Sequence, residues 1–154
     1  MVALQQRTID AIRGQEGGLL SAWLGSSLTA DARISHKDAQ AQGADFLRLL
    51  AASLKDGGSS LDSAEWSEVR RFLENLSRDR ATRGFDSQET ANFLFSLKRA
   101  LFELVQREYA DTPEELGHQL WALSELMDAL GLHTIKAFQK TREDIIARQQ
   151  EEML

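Results

Sequence analysis

The stretch from Gly84 to Tyr109, GFDSQETANFLFSLKRALFELVQREY, is apolar on too many sides to lie at a surface. Leu94, Leu97, Leu101 and Leu104 keep helical spacing along one side. Phe95, Phe102 and Tyr109 recur every seven residues on another, and Phe93 and Ala100 widen the stripe. Only Asn92, Ser96, Arg99, Glu103 and Gln106 make a polar line. A helix that buries most of its circumference is the centre of its domain. The rest of the chain must supply helices to cover it.

The surrounding sequence is of that kind. It has a single proline and few β-branched runs, which favours an all-α fold. Its 154 residues are a one-domain length, enough to bury a core without covalent staples. There is no cysteine, so disulfides and thiolate metal sites are excluded. The formal charge is −6, from 18 basic and 24 acidic residues. That sign argues against a phosphate-dominated nucleic-acid interface and against attraction to anionic membrane. No apolar run approaches the roughly 20 residues of a membrane helix, and MVALQQRTIDAIRGQ lacks the apolar segment of a signal peptide. A cytoplasmic location is the expectation.

Seven helical segments are expected. Residues 1–13 form a weak first helix, with Leu4, Ile9 and Ile12 as contacts, and Gln15 to Gly18 punctuate it. Leu19, Leu20, Trp23, Leu24 and Leu28 mark a second helix ending near Thr29. After a break from Ala30, Ser35 caps a third helix running to about Lys55, in which Ala41, Gly43 and Ala44 suggest a close helix approach. The loop Asp56 to Ser60 follows, with Gly57 or Gly58 suited to a left-handed cap. Asp62 with Glu65, and Asp86 with Glu89, have capping-box spacing and open the fourth and central helices, with Gly84 ending the fourth. Asp111 or Thr112 caps the sixth, whose first turn holds Pro113. Leu116, Leu120, Leu123, Met127 and Leu130 form its seam, and Gly131 closes it. The last segment, 132–154, has an apolar edge of Ile135, Phe138, Ile145, Ile146 and Met153 and no stop signal. It reads as a helix that continues beyond Leu154. The whole fits a globin-like arrangement or an irregular bundle.

No catalytic group assembles from the sequence. Glu115 and His118 form one Glu-x-x-His pair, whereas a di-iron bundle needs two such pairs and two more glutamates. A globin-like fold raises the question of haem, for which His118 and His133 lie beside apolar seams and His36 is less suited. No serine sits in a nucleophile elbow, and no phosphate-binding glycine loop is present. Arg70, Arg71, Arg78, Arg80 and Arg83 are interleaved with Glu68, Glu74 and Asp79, which reads as a solvated charged face. No catalytic, cofactor-binding or metal residue is assigned.

The segment opening at Gly84-Phe85, with Ser87-x-x-Thr90, Phe95-Ser96-Leu97-Lys98 and Ala100-Leu101, resembles the N-terminal domain of the RsbT co-antagonist family, the RsbR-type stressosome sensors. The run from Arg142 to Met153 resembles the linker helix that precedes the STAS domain in that family. The first half matches only in pattern, through Trp23, Phe46-Leu47 and Leu61-Asp62 before Trp66. The resemblance implies a globin-like domain, usually without haem, that forms a homodimer and projects from a large cytoplasmic signalling assembly. It implies a sensor domain over 1–131 and a helix over 132–154 leading to an absent STAS domain. That STAS domain would bind an antagonist partner and the kinase and carry the phosphorylated residues, so Thr134 and Thr141 are not those sites. Some members are haem sensors, but no axial histidine can be placed here by motif. The chain is expected to be a non-enzymatic sensor, its copies pairing along Ile135, Phe138, Arg142, Ile145, Ile146 and Gln149. The alternatives are a haem- or small-ligand sensor with a pocket near Phe93, Phe95, Trp121 and the histidines, a di-iron enzyme, and a plain adaptor bundle.

Overall fold

The computed structural model describes residues 3–27, 31–56 and 60–153. Among these residues the fold is all-α: α1 (Gln6–Gly14), α2 (Glu16–Ser27), α3 (His36–Asp56), a single 3-10 turn (Ala64–Trp66), α4 (Ser67–Thr82), α5 (Ser87–Glu108) and α6 (Pro113–Glu152). The expected contacts and caps at Leu28, Thr29, Gly57 and Gly58 lie outside the described residues.

α5 is the centre, as its sequence requires. Leu94, Leu97, Leu101, Leu104 and Val105 are buried, and α1, α2, α4 and α6 all pack on it. α6 makes its largest contact with α5 and its next with α4. α3 bridges α2 and α4, closing the far side of the core with Phe46, Leu47 and Leu50. Trp23 of α2 packs edge-on against Phe46 and tilted against Phe93 of α5. Its indole N–H donates to the Phe93 carbonyl and the Ser96 hydroxyl, both at 2.8 Å. A buried Trp needs such an acceptor.

The helix ends follow local chemistry. Asp86 and Glu89 form the full capping box that opens α5. The Ser35 hydroxyl accepts from the Asp38 N–H at 3.0 Å at the start of α3. Gly84 has φ +96°. Its N–H donates to Ala81 and that of Phe85 to Arg80, the paired bonds that terminate α4.

Four expectations change. α2 begins at Glu16, so Gly17 and Gly18 lie in its first turn and Gln15 alone separates it from α1. Asp62 and Glu65 do not open α4, which starts at Ser67 after the 3-10 turn. There the Arg70 guanidinium takes the Leu61 and Ser63 carbonyls and folds the turn without an aspartate cap. Of the three small residues in α3, only Gly43 is buried, and a Cβ there would come within 2.9 Å of Leu20 and 3.3 Å of Trp23. Gly131 does not close a helix: the sixth and seventh segments are one helix of 40 residues, about 60 Å long. A helical glycine costs about 1 kcal/mol. Here Gly131 lies directly under the Phe95 ring of α5, where any side chain would collide. The glycine sets the closeness of the α5–α6 crossing and leaves the backbone helical.

Candidate signalling helix and its anchors

The residues named for chemistry do not converge. His36 and His118 are exposed. Glu115 accepts a hydrogen bond from the Gln5 amide, on the protein surface. His133 is half-buried, with Nε2 enclosed and unpartnered. Among the described residues no three His, Cys, Asp or Glu side chains gather in a way that could hold a metal ion. The aromatic residues expected to line one pocket face three ways. Phe93 stacks on Trp23 and on the Arg80 guanidinium, Phe95 caps Gly131, and Trp121 points outward.

The organised feature is α6 and what grips it. At its first turns Gln119 is fully buried in a polar knot between α1, α5 and α6. Its Oε1 accepts from the Thr8 hydroxyl at 2.6 Å and from the Gln5 backbone N–H at 2.9 Å. Its amide donates to the Ala3 carbonyl at 3.3 Å. The Thr8 and Tyr109 hydroxyls lie 2.8 Å apart, and Tyr109 also donates to Gln5 at 3.2 Å. Every polar atom named here has a partner, which is what makes a buried polar cluster specify one arrangement. Arg7 covers the knot from outside. It lies over the Tyr109 ring and pairs with Glu108 at 3.0 Å, and that bond raises its pKa further.

A second grip lies at the centre of α6. Gly131 meets Phe95 on one side. On the other, the buried Ser77 of α4 donates to its own Leu73 carbonyl at 2.8 Å and lies 3.2 Å from the Thr134 carbonyl of α6. Thr134 is buried and turns its hydroxyl back onto Leu130 at 2.8 Å. Small residues thus let α4 and α5 both approach α6 within one turn. Phe138 is the last α6 residue in the core. The expected pairing seam therefore loses Phe138 to its own domain. From Arg142 to Glu152 every residue is exposed.

The basic group on α4 is also not one solvated face. Arg80 is buried between the Phe85 and Phe93 rings, at 4.8 and 4.1 Å, and its Nε donates to Gln42 at 3.1 Å. Burial pushes its guanidinium down to about 10, so it stays charged at neutral pH. It is buried because it sits at the turn before Gly84, where Phe85 folds back over α4. Its neighbours form a charge lattice at the rim. Arg33 covers the other reach of Phe85 at 3.9 Å and pairs with Asp31 at 2.8 Å and Glu89 at 2.6 Å. Those bonds raise Arg33, hold Asp31 down at about 2 and lower Glu89. Arg83 pairs with Asp79 at 2.9 Å and Asp38 at 3.1 Å and is raised by them.

Sequence reasoning missed Thr8, Gln119 and Ser77, and it placed the buried Arg80 on a solvated face. The available signal was a polar residue at a position where the helical period calls for an apolar one. No curated protein and no solved structure matches the chain. Among the described residues no helix is long and apolar enough to cross a membrane. The family described as the RsbT co-antagonist protein rsbRD N-terminal domain matches residues 3–153. With nearly the whole sequence inside that match, and an all-α fold built on the Gly84–Tyr109 helix, the chain belongs to the RsbT co-antagonist rsbRD N-terminal domain family.

Proposed function

We propose that this domain is the signal-sensing, dimerising N-terminal part of a cytoplasmic, RsbR-type stressosome protein. It passes a stress signal through α6 to a STAS domain that controls a partner-switching kinase. The domain itself carries out no chemistry, and its core has the globin-like arrangement without need of haem. One observation carries the reading. α6 is a single helix, gripped near its start and again at residues 131–134, that leaves the body with its last turns uncovered. A rigid helix held at two points transmits a tilt or rotation of the domain body to whatever its far end touches. An input that favours one packing at the second grip biases the population of helix positions.

Helical phase tests this in the full-length protein. One residue inserted after Asp144 turns everything beyond it by about 100°, whereas seven inserted residues nearly restore the phase. The single insertion is expected to change how much kinase the assembly retains, and the seven-residue insertion to keep the unaltered response. If both insertions behave like the unaltered protein, α6 does not carry the signal.

A further inference from the structure

A guanidinium buried inside a domain normally brings its own counter-ion, and Arg80 does not. The residue is 4% exposed, and no carboxylate among the described residues pairs with it. Its Nε donates to the Gln42 side-chain oxygen, which is uncharged. Its Nη2 is enclosed and meets no acceptor. The nearby carboxylates are held by other groups. Arg33 takes Asp31 and Glu89, Arg83 takes Asp38 and Asp79, and Asp79 also accepts from the Gln42 amide at 2.6 Å. Gln42 thus bridges Asp79 and Arg80, which make no direct pair. Enclosing a charge with a donor left over is among the costliest arrangements in a fold. Aromatic faces and one neutral acceptor offset only part of that cost. The rest calls for an acceptor from outside the chain.

We propose that Arg80 is the floor of a binding site for a small carboxylate, which enters past Phe85 and takes the free Nη2. The rings of Phe93 and Phe85 lie against the guanidinium carbon at 4.1 and 4.8 Å, so a ligand meets the edge of the group. A planar carboxylate fits that edge. Asp79 and Asp31 act on Arg80 with one sign and Arg83 and Arg33 with the other. A monoanion therefore meets the single charge of Arg80, and the second charge of a dianion finds no uncommitted cation. Entry is past side chains of two connections and not through a helix. Phe85 stands on the Gly84 turn between α4 and α5, and the half-buried Arg33, between α2 and α3, covers its outer face at 3.9 Å. Binding groups gather on such connections. The site also adjoins the second grip on α6. Arg80 follows Ser77 by one turn of α4, and Phe93 precedes Phe95 by two residues of α5. An occupant that shifts either side chain acts on the two helices that hold α6. That the carboxylate is the input of the signal rests on the reading above; that it binds does not.

Acetate is the probe, set against chloride and phosphate at equal ionic strength. Acetate is expected to raise the thermal midpoint saturably, by about 3–5 °C at ten times its dissociation constant. Phosphate is expected to do no more than chloride. R80M removes the cation and keeps an unbranched apolar chain between the rings, and in it the acetate effect is expected to vanish. Should R80M fail to fold by circular dichroism, the unaltered protein reads the same event, because the Arg80 Nε–H resonance is expected to shift with acetate and saturate over the same range. An acetate effect that survives in folded R80M, one that never saturates, or an Arg80 resonance that acetate does not move overturns the site. Stabilisation by phosphate and not by acetate overturns the carboxylate assignment. The helix-insertion test reads α6 and not Arg80, so the two readings fail separately. Acetate binding with an unaltered response to both insertions leaves the site standing and removes its role as input. No acetate binding with the expected insertion response leaves the signalling reading standing without this site.

Discussion

At the scale of single residues, stability rests on polar groups placed where the pattern asks for apolar ones. Gln119 accepts from Thr8 and from the Gln5 backbone while fully buried. Gln119→Leu keeps the bulk and removes the acceptor, leaving enclosed donors without a partner. A loss of about 1–3 kcal/mol is expected in chemical denaturation. A near-neutral result would mean that the knot repacks around other acceptors. The Arg33 cluster makes a pH prediction. Asp31 titrates near 3.8 when unperturbed and at about 2 in the fold, because Arg33 bonds its carboxylate, and Glu89 is lowered by the same cation. A depressed folded pKa gives stability that is complete above the unfolded value and lost as pH falls through the folded one. Arg33→Met is therefore expected to be less stable than the parent above about pH 4, with the gap closing by about pH 2. A gap independent of pH would assign the effect to the Phe85 contact instead of the carboxylates.

Between elements, what matters is how closely the helices approach α6. A side chain at Gly131 would enter the Phe95 ring, so Gly131→Val must push α5 and α6 apart. Overpacking of this kind costs about 1–3 kcal/mol. Phe95→Ala is expected to recover part of that loss in a double-mutant cycle, since the two sites share one contact. Additive losses would show that Gly131 is needed for some other reason. The same pair shows how much of the fold was legible in the sequence. The central helix, its capping box and the stop at Gly84 follow from residues adjacent in the chain, and they were readable. Gly131 was read as a stop because its role depends on Phe95, thirty-six positions earlier, and spacing within one segment carries no trace of that. Asp62 was read as a cap for lack of any sign that Arg70 would take the Leu61 and Ser63 carbonyls. The candidate site was legible only in outline. An apolar edge was visible after residue 132, but one line of it faces the core through Phe138 and another faces solvent through Leu132 and Ile146, and only the placed helix separates them.

For the whole molecule, α6 divides into a gripped half and an uncovered end, and the two should differ in how often they open. The amides from Leu123 to Phe138 lie where α4 and α5 both pack, so their exchange requires loss of that packing. From Arg142 to Glu152 every residue is exposed, so those turns fray independently of the body. Hydrogen exchange is therefore expected to show slow amides up to about residue 138 and fast ones beyond 142 in dilute protein. If a second copy covers the tail, its protection must rise with protein concentration, because burial then depends on mass action. The body should keep its protection at low concentration, where the dimer has dissociated. Protection of the tail that does not change with dilution would mean that the chain itself holds these turns. A tail fast at every concentration would leave it free for the STAS domain proposed to follow it, and would place any contact between copies on the body around Trp121 and Leu132.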